Sequence, residues 1–160
     1  MISKPDGTPN PRLAVLATGA SKFAERVVAS PGGKTYGRLS VMVQQQMAVR
    51  QLFNVPAGAF FPRPRVVSAV LSLTRRTTPL ASVRDEALFA RVVKEAFGTR
   101  RKMLRRSLGD AFGDEVAAEA LATSAVTGTR RPEELTVAEF GRLADAVAVA
   151  TAARAVAVGS

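Results

Sequence analysis

The chain has 160 residues, of which 47% are apolar and 22% charged, so it can form a hydrophobic core but is too short for two full-sized domains. It contains no cysteine and no histidine, which excludes disulfides, thiol nucleophiles, histidine bases and zinc sites built on these ligands. The formal charge of +10 favours an anionic partner. Because its apolar runs are short and its start lacks a signal-peptide core, we expect a cytoplasmic protein with no membrane partner.

The positive charge is concentrated in two windows of the sequence. Residues 63–76 hold four arginines and no acid, and residues 91–106 hold seven basic residues and a single glutamate. Basic and acidic residues cancel over the rest of the chain, so the whole excess belongs to these windows. We therefore predict a basic surface patch, which is suited to phosphate groups.

Strand and helix patterns alternate in the first half of the chain, after a leader over residues 1–12 that is rich in proline and glycine. Alternation over residues 65–74 places apolar side chains on both faces, which indicates a strand with both faces largely covered. In the strand before it, Val49, Gln51, Phe53 and Val55 are predicted to share one face. The predicted elements are a strand over 13–17, helices over 21–29 and 37–44, and strands over 49–55 and 65–74.

The turn Gly33-Lys34-Thr35 looks like part of a phosphate-binding loop. That motif requires a glycine five positions before Gly33, where this chain has Val28, and the turn follows a helix instead of a strand. We therefore predict a plain exposed turn.

From Ser82 onward only helical patterns occur, so we predict a domain boundary near residue 80. The predicted division is an α/β part over residues 1–80, an all-helical part over 81–150 and a frayed tail over 151–160. Ser82 and Asp85 have the spacing of a capping box for a helix that ends at Gly98. Further helices are predicted over 114–122 and from Thr136, which Glu139 would help to cap. The inward-facing residues predicted for the last helix are Val137, Phe140, Leu143, Ala144 and Val147.

A further helix is predicted between the helix that ends at Gly98 and the helix over 114–122, with one apolar and one cationic face. Thr99 is predicted to cap it, with Met103, Leu104, Ser107 and Leu108 on the packed face. Four cations on the opposite face repel one another unless anions neutralise them, which favours phosphates over the alternative of a merely solvated face. These cations are Arg101, Lys102, Arg105 and Arg106.

The segment Phe60-Phe61-Pro62-Arg63-Pro64-Arg65 has prolines at alternate positions, which fix an extended backbone. Such a backbone can hold an aromatic ring outward at the entrance of a strand, or both rings can pack under the sheet. The spacing alone does not decide between these alternatives. No paired carboxylates, metal-ligating cluster or serine–lysine arrangement stands out, so no catalytic centre or metal site is predicted from the residues alone.

Four motifs, in one order across residues 22–147, resemble the ribosomal RNA adenine dimethyltransferases. They are Tyr36-Gly37-Arg38-Leu39-Ser40-Val41, then Phe60-x-Pro62-x-Pro64-x-Val66-x-Ser68-Ala69-Val70, then Ala96-Phe97 with Arg100-Arg101-Lys102-x-Leu104-Arg105-x-Ser107-Leu108, and finally Arg131-Pro132-Glu133-Glu134-Leu135.

The resemblance implies transfer of methyl groups from S-adenosylmethionine to N6 of adjacent adenosines near the 3′ end of small-subunit ribosomal RNA. It implies an α/β plus α fold: part of a Rossmann-like methyltransferase sheet, followed by a small all-helical RNA-binding domain. Phe60 would stack on the flipped target adenine. The residues that would contact RNA are Arg63, Arg65, Arg100, Arg101, Lys102, Arg105 and Arg106.

The resemblance covers the carboxy-terminal half of such an enzyme. The family's glycine-rich loop, the acidic residue for the cofactor ribose and the Asn-Leu-Pro-Tyr-like motif all precede the matching region, and none occurs in this chain. We therefore expect no cofactor-binding residues here, RNA binding without methyl transfer by this chain alone, and a partner that supplies the amino-terminal half. The strands present would leave one sheet edge and one apolar face uncovered.

Two alternatives remain open at the sequence level. The chain could be a non-catalytic RNA-binding or ribosome-assembly factor. It could also be a related protein that acts on large-subunit RNA or in transcription.

Overall fold

A computed structural model describes residues 12–17, 21–65, 67–98 and 102–158 of the protein. The described strands are β1 (Arg12–Ala17), β2 (Met47–Val55) and β3 (Ser68–Arg75). The described α-helices are α1 (Ser21–Val28), α2 (Arg38–Gln46), α3 (Glu86–Gly98), α4 (Leu104–Phe112), α5 (Asp114–Ser124) and α6 (Val137–Val158). Short 3₁₀ turns cover Ala57–Ala59 and Pro132–Glu134.

The three strands form one antiparallel sheet in the order β1-β3-β2. The central strand β3 pairs on one side with β1, where Leu13 faces Leu73, and on the other with β2, where Val49 also faces Leu73. The predicted strands are therefore confirmed, although β3 begins at Ser68 and β2 begins directly after α2. Among the described strands, β1 pairs only with β3.

One face of the sheet packs against the first two helices. Ala69 and Leu71 of β3 are fully buried against Ala24 and Val27 of α1. Leu39 and Val43 of α2 complete this small core, together with Leu73 and Val49. Sequence alternation predicts Val67, Ala69, Leu71 and Leu73 on one face of this strand. This is confirmed for Ala69, Leu71 and Leu73, whereas Val67 precedes the strand and is 45% exposed.

A β-bulge changes the faces of β2. Val49 and Gln51 pair with residues of the packed face of β3, but the register shifts between Gln51 and Phe53. Because paired residues share a face, Phe53 opposite Val70 and Val55 opposite Ser68 point to the other side. The prediction of one shared face for Val49, Gln51, Phe53 and Val55 is therefore wrong, since the extra residue at the bulge reverses the alternation.

The second face of the sheet is only partly covered by the described residues. Phe53 is 59% exposed and Leu52 is 54% exposed. Ser72 and Thr74 of β3 are half-buried and line an open groove of about 400 Å³ with Ala48, Arg50 and Leu52. The β3 residues on this face, Ser68, Val70, Ser72 and Thr74, are all buried or half-buried, so the prediction that both faces of β3 are largely covered agrees with the structure, and the exposed side chains belong to β2.

Three consecutive glutamines of α2 join separate parts of the chain. The Gln44 amide donates to the carbonyls of Val27 and Ala29 at 2.9 and 2.8 Å. The buried Gln45 amide donates to the Ala81 carbonyl at 2.8 Å and accepts from the Ala81 N–H at 2.9 Å. The exposed Gln46 amide donates to Glu86 at 3.2 Å. Helix α2 therefore fixes the end of α1 and the start of the helical part relative to the sheet.

The larger hydrophobic core is built mainly by the helices that follow the sheet, and it also includes Ala29, Tyr36 and Val41 from the first part of the chain. Its largest fully buried side chains are Phe89, Phe140, Leu104, Leu108, Leu135 and Leu143. The helix predicted to end at Gly98 is described over Glu86–Gly98, and it begins at Glu86, where the Asp85 carboxylate accepts from the N–H groups of Ala87 and Leu88. The prediction of a Ser82–Asp85 capping box is therefore wrong, because Asp85 itself caps the helix.

The basic helix α4 starts later than predicted. It begins at Leu104, with Met103 as its N-terminal flanking residue, so Lys102 precedes the helix. Met103 is 47% exposed and does not join the packed face, whereas Leu104, Ser107 and Leu108 are buried as predicted. The predicted cap Thr99 and the cations Arg100 and Arg101 lie outside the described residues.

Helix α6 begins as predicted and continues further. The Glu139 N–H donates to the Thr136 hydroxyl at 3.2 Å, which confirms the cap, and the predicted inward residues Phe140 and Leu143 are buried. The prediction that the chain frays after residue 150 is wrong, because α6 extends to Val158 and Arg154 forms ion pairs with Glu115 and Glu119 of α5. No helix among the described residues is long and apolar enough to cross a membrane.

A glycine allows α6 to approach the chain segment before α3. A Cβ atom on Gly141 would lie 2.4 Å from the Ala81 Cβ, so Gly141→Ala forces the two segments apart. We expect a loss of about 1–2 kcal/mol in the free energy of unfolding, because this overlap outweighs the ~1 kcal/mol of helix propensity that alanine gains. Gly98→Ala is the control, since its Cβ meets nothing within 4 Å. Urea titration measures both, and an unchanged or higher stability of Gly141→Ala would contradict the close packing.

Candidate nucleic-acid interface

Helix α4 separates an apolar face from a cationic one. Leu104 and Leu108 are fully buried in the helical core, whereas Arg105 and Arg106 are exposed. Together with the exposed Lys102, just before the helix, these arginines form a surface that we call the basic face. The two arginines also line an open groove between α4 and α5. The predicted combination of one packed face and one cationic face is therefore present.

The first turn of α4 is tied to the loop before the Pro132–Glu134 turn. The Leu104 N–H donates to the Arg130 carbonyl at 2.9 Å, and the Arg105 N–H donates to the Gly128 carbonyl at 3.0 Å. Backbone N–H groups at a helix start often bind phosphates, but these two already have protein acceptors. The side chains of the basic face are therefore the groups available to an anion.

Two of the three cations of the basic face have an acidic partner. The Lys102 Nζ lies 3.2 Å from one oxygen of Asp110, and the Arg106 Nε lies 3.3 Å from the other. Among the described residues, Arg105 forms no ion pair. Arg105 is therefore the cation of this face that is most directly available to a phosphate.

Other cations of the second window have structural contacts. The Arg91 guanidinium lies 4.7 Å from the centre of the Phe112 ring and donates to the Ala111 carbonyl, which joins α3 to α4. Lys94 pairs with its neighbour Glu95 at 3.4 Å. These contacts explain part of the charge in the window without an external partner.

The aromatic segment after β2 presents one ring to solvent. Phe61 is fully exposed, whereas Phe60 is half-buried after the Ala57–Ala59 turn. Arg63 and Arg65 are exposed, and neither has an ion pair among the described residues. The sequence left open whether the rings face outward or pack under the sheet, and the two rings differ in this respect.

Tyr36 and Phe97, which belong to separate sequence motifs, are in contact with each other. The buried Tyr36 ring contacts Phe97 edge-on at 6.3 Å, and Phe97 lies 5.7 Å from Phe140 of α6. Burial, together with the charge of Glu139, raises the pKa of Tyr36 to about 12, so its hydroxyl stays neutral.

The exposed turn predicted around residues 33–35 is joined to the Pro132–Glu134 turn. The Gly32 N–H donates to the Glu133 carbonyl at 2.7 Å.

An ion pair holds the loop that supports α4. The Arg130 side chain donates to Glu139 at 2.6 Å, and the Thr136 N–H and hydroxyl donate to the same carboxylate at 2.7 and 2.9 Å. Burial alone would raise the pKa of Glu139, but these hydrogen bonds and the charge of Arg130 outweigh it and lower the pKa from 4.5 to about 2. The ionised carboxylate therefore stabilises the fold.

The lowered pKa of Glu139 predicts an acid-dependent loss of stability. A carboxylate whose pKa is lower in the folded state contributes stability above its unfolded pKa of 4.5, and this is lost as the pH falls toward 2. At ~pH 6 we expect the free energy of unfolding of wild type to exceed that of Glu139→Gln by about 1–2 kcal/mol, after allowance for solvent screening. This difference between the two proteins should disappear near pH 2. Thermal unfolding of both proteins across this range measures the gap, and a gap independent of pH would contradict the assignment.

Two surface depressions among the described residues differ in their lining from a nucleotide-cofactor site. Nucleotide-like cofactors are held by a glycine-rich loop after a strand and by a carboxylate for the ribose. The open groove on the sheet has no carboxylate among its lining residues, and the depression that contains Gly33 and Glu133 lies on a turn after a helix. The described part of the chain also has no group of three or more acidic side chains that could hold a metal ion.

Solved structures confirm the general fold. A dimethyladenosine transferase from Plasmodium falciparum superposes with a TM-score of 0.62 at 18% identity, over 82% of this chain and 54% of the other. The 23S rRNA methyltransferase ErmE superposes with a TM-score of 0.58 at 22% identity, over 89% and 57%. These likenesses support the predicted partial methyltransferase fold.

Curated relatives found by sequence share a higher identity with this chain than the two solved structures do. Proteins named Ribosomal RNA small subunit methyltransferase A from Pseudomonas aeruginosa and Chromohalobacter salexigens are each 46% identical over 127 residues. The match covers 79% of this chain but 46% and 44% of those proteins, so the chain spans about half the length of the curated relatives it matches. The family described as Ribosomal RNA adenine dimethylase matches residues 12–148. With most of its length inside that match, the chain belongs to the ribosomal RNA adenine dimethylase family.

Proposed function

We propose that this chain is the RNA-binding part of a small-subunit ribosomal RNA adenine dimethyltransferase. The observation that supports the proposal most directly is the basic face of α4, which is held in place by the buried Leu104 and Leu108 in a chain of this family. Phosphates would bind Lys102, Arg105 and Arg106, together with Arg100 and Arg101 just before them in the sequence. Arg63 and Arg65 would provide a second set of contacts beside the aromatic segment.

Binding to a labelled RNA hairpin with the sequence of the 3′ end of small-subunit ribosomal RNA tests the proposal. If the three cations of the basic face contact phosphates, the logarithm of the binding constant should fall with the logarithm of salt concentration with a slope of about −2 to −3. A hairpin of scrambled sequence is the control for specificity. Absence of binding at ~50 mM salt, or binding that does not depend on salt, would contradict the proposal.

Phe60 is proposed to stack on the target adenine, as the family resemblance implies. Its neighbour Phe61 is the matched control, because it is the more exposed ring and differs by one position. With 2-aminopurine in place of the target adenine, we expect Phe60→Ala to remove most of the fluorescence quenching on binding and Phe61→Ala to retain it. The reverse result would assign the stacking role to Phe61.

We propose that methyl transfer requires residues beyond those of this chain. Because the family's cofactor-binding motifs precede the region that this chain resembles, we propose that the amino-terminal half of the enzyme, in the same polypeptide or in a partner, binds S-adenosylmethionine as the methyl donor. The exposed Leu52 and Phe53 on the open sheet face support the presence of a covering element.

The alternative of a non-catalytic RNA-binding or ribosome-assembly factor makes the same prediction for RNA binding. Addition of the purified amino-terminal half of the Pseudomonas aeruginosa relative separates the two. Methyl transfer to small subunits in the mixture supports the enzyme. A complex of the two halves that binds subunits but transfers nothing supports the assembly factor.

A further inference from the structure

Asp110 is the acidic residue within the basic face of α4. Its two carboxylate oxygens contact different cations: Oδ2 lies 3.2 Å from Lys102 Nζ and Oδ1 lies 3.3 Å from Arg106 Nε. Both cations belong to the proposed RNA-binding set, so this argument rests on the proposed function. One carboxylate thus occupies, in the RNA-free protein, two of the positive charges that a phosphate would otherwise neutralise.

These contacts contribute little to folding. The side chains of Asp110, Lys102 and Arg106 are 45%, 46% and 65% exposed, and exposed ion pairs contribute little because water screens them and the side chains lose entropy. The buried Leu104 and Leu108 and the carbonyls of Gly128 and Arg130 already position the helix. The main consequence of Asp110 is therefore electrostatic and falls on whatever anion approaches this face.

The position of Asp110 makes it a competitor for phosphate. To bind Lys102 and Arg106, an incoming phosphate must either break both ion pairs or bind next to the Asp110 carboxylate, which repels it. Arg105 is outside this competition, since it forms no ion pair among the described residues. RNA whose phosphates fit only Arg105 therefore binds weakly, and RNA that can reach all three cations is favoured.

We propose that Asp110 is a specificity-determining residue that occupies Lys102 and Arg106 in the absence of RNA and weakens the binding of RNA that cannot displace it. Loss of its charge frees both cations for any phosphate. The affinity for non-cognate RNA should therefore rise more than the affinity for the cognate hairpin.

Asp110→Asn tests the proposal, with Glu119→Gln as the matched control. Both substitutions raise the net charge by one, but Glu119 pairs with Arg154 on α6 and forms no ion pair with Lys102 or Arg106. For the scrambled hairpin we expect Asp110→Asn to bind about threefold to tenfold more tightly than wild type, with a salt slope steeper by about 1–2. Glu119→Gln should match wild type. In a Lys102→Ala/Arg106→Ala background, Asp110→Asn should lose its effect.

The outcomes separate this inference from the proposed function. If wild type binds the cognate hairpin and Asp110→Asn has the affinity and salt slope of Glu119→Gln, the role of Asp110 is overturned and the proposed function stands. An equal gain for cognate and scrambled hairpins would overturn the role in specificity. If none of the variants binds either hairpin, both proposals are overturned.

Discussion

Replacement of Gln45 with alanine is expected to lower the free energy of unfolding by about 2–5 kcal/mol. The Gln45 amide is buried and makes both hydrogen bonds of the Ala81 peptide groups, at 2.8 and 2.9 Å. Its loss leaves a buried N–H and a buried carbonyl without a partner, and each such group costs about 1–3 kcal/mol. Since Ala81 begins the helical part, the substitution should also loosen that part relative to the sheet.

Gln46→Ala is the control for Gln45→Ala. Its side chain is one position away on the same helix, and its amide donates to the exposed Glu86 at 3.2 Å, so we expect a loss of at most about 0.5 kcal/mol. Urea denaturation of the three proteins measures the difference. Equal effects at the two positions would show that the Gln45–Ala81 hydrogen bonds do not hold the two parts together.

Arg105→Glu is expected to weaken binding to the cognate RNA hairpin at least about tenfold at ~100 mM salt. Arg105 belongs to the basic face, is exposed and has no ion pair among the described residues. The substitution removes a phosphate contact and adds repulsion, so the salt slope should also become shallower by about 1.

Arg84→Glu is the matched control for Arg105→Glu, because it changes the net charge by the same amount. Arg84 is exposed and precedes the start of the 13-residue helix α3, whereas α4 follows the other end of that helix. A helix of this length spans about 20 Å, well beyond the screening distance at this salt concentration. Equal losses for both variants would mean that net charge, and not the basic face, determines binding.

The sequence was sufficient where local pattern and packing agree. The alternation in β3 predicted the buried Ala69 and Leu71, and the Thr136–Glu139 spacing predicted the cap of α6. Helical periodicity also predicted which face of α4 packs, because Leu104 and Leu108 lie one turn apart. In each case the residues that decide the structure are close together in the chain.

Sequence patterns do not predict the features that depend on contacts with a distant segment of the chain. The bulge in β2 follows from its register with β3, so a single strand does not reveal that Phe53 changes face. Helix α4 starts at Leu104 because its first N–H groups find the carbonyls of Gly128 and Arg130, residues more than 20 positions away. The Gln45–Ala81 pair likewise joins residues 36 positions apart.

One feature of the candidate site was visible in the sequence but missed. Asp110 lies four residues after Arg106, a spacing that brings two side chains together on a helix. The basic window over residues 91–106 ends four residues before this acid. A window that followed the helix to its end would have included this residue.

The central claim is that this chain binds small-subunit ribosomal RNA and does not by itself transfer methyl groups. The most direct test is to incubate the purified chain with unmethylated small ribosomal subunits and S-adenosylmethionine labelled on its methyl group, and then to sediment the subunits. The full-length Pseudomonas aeruginosa relative is the positive control. We predict that the chain sediments with the subunits and that the RNA contains no label above background. Label in the RNA, or a chain that stays in the supernatant, would contradict the account.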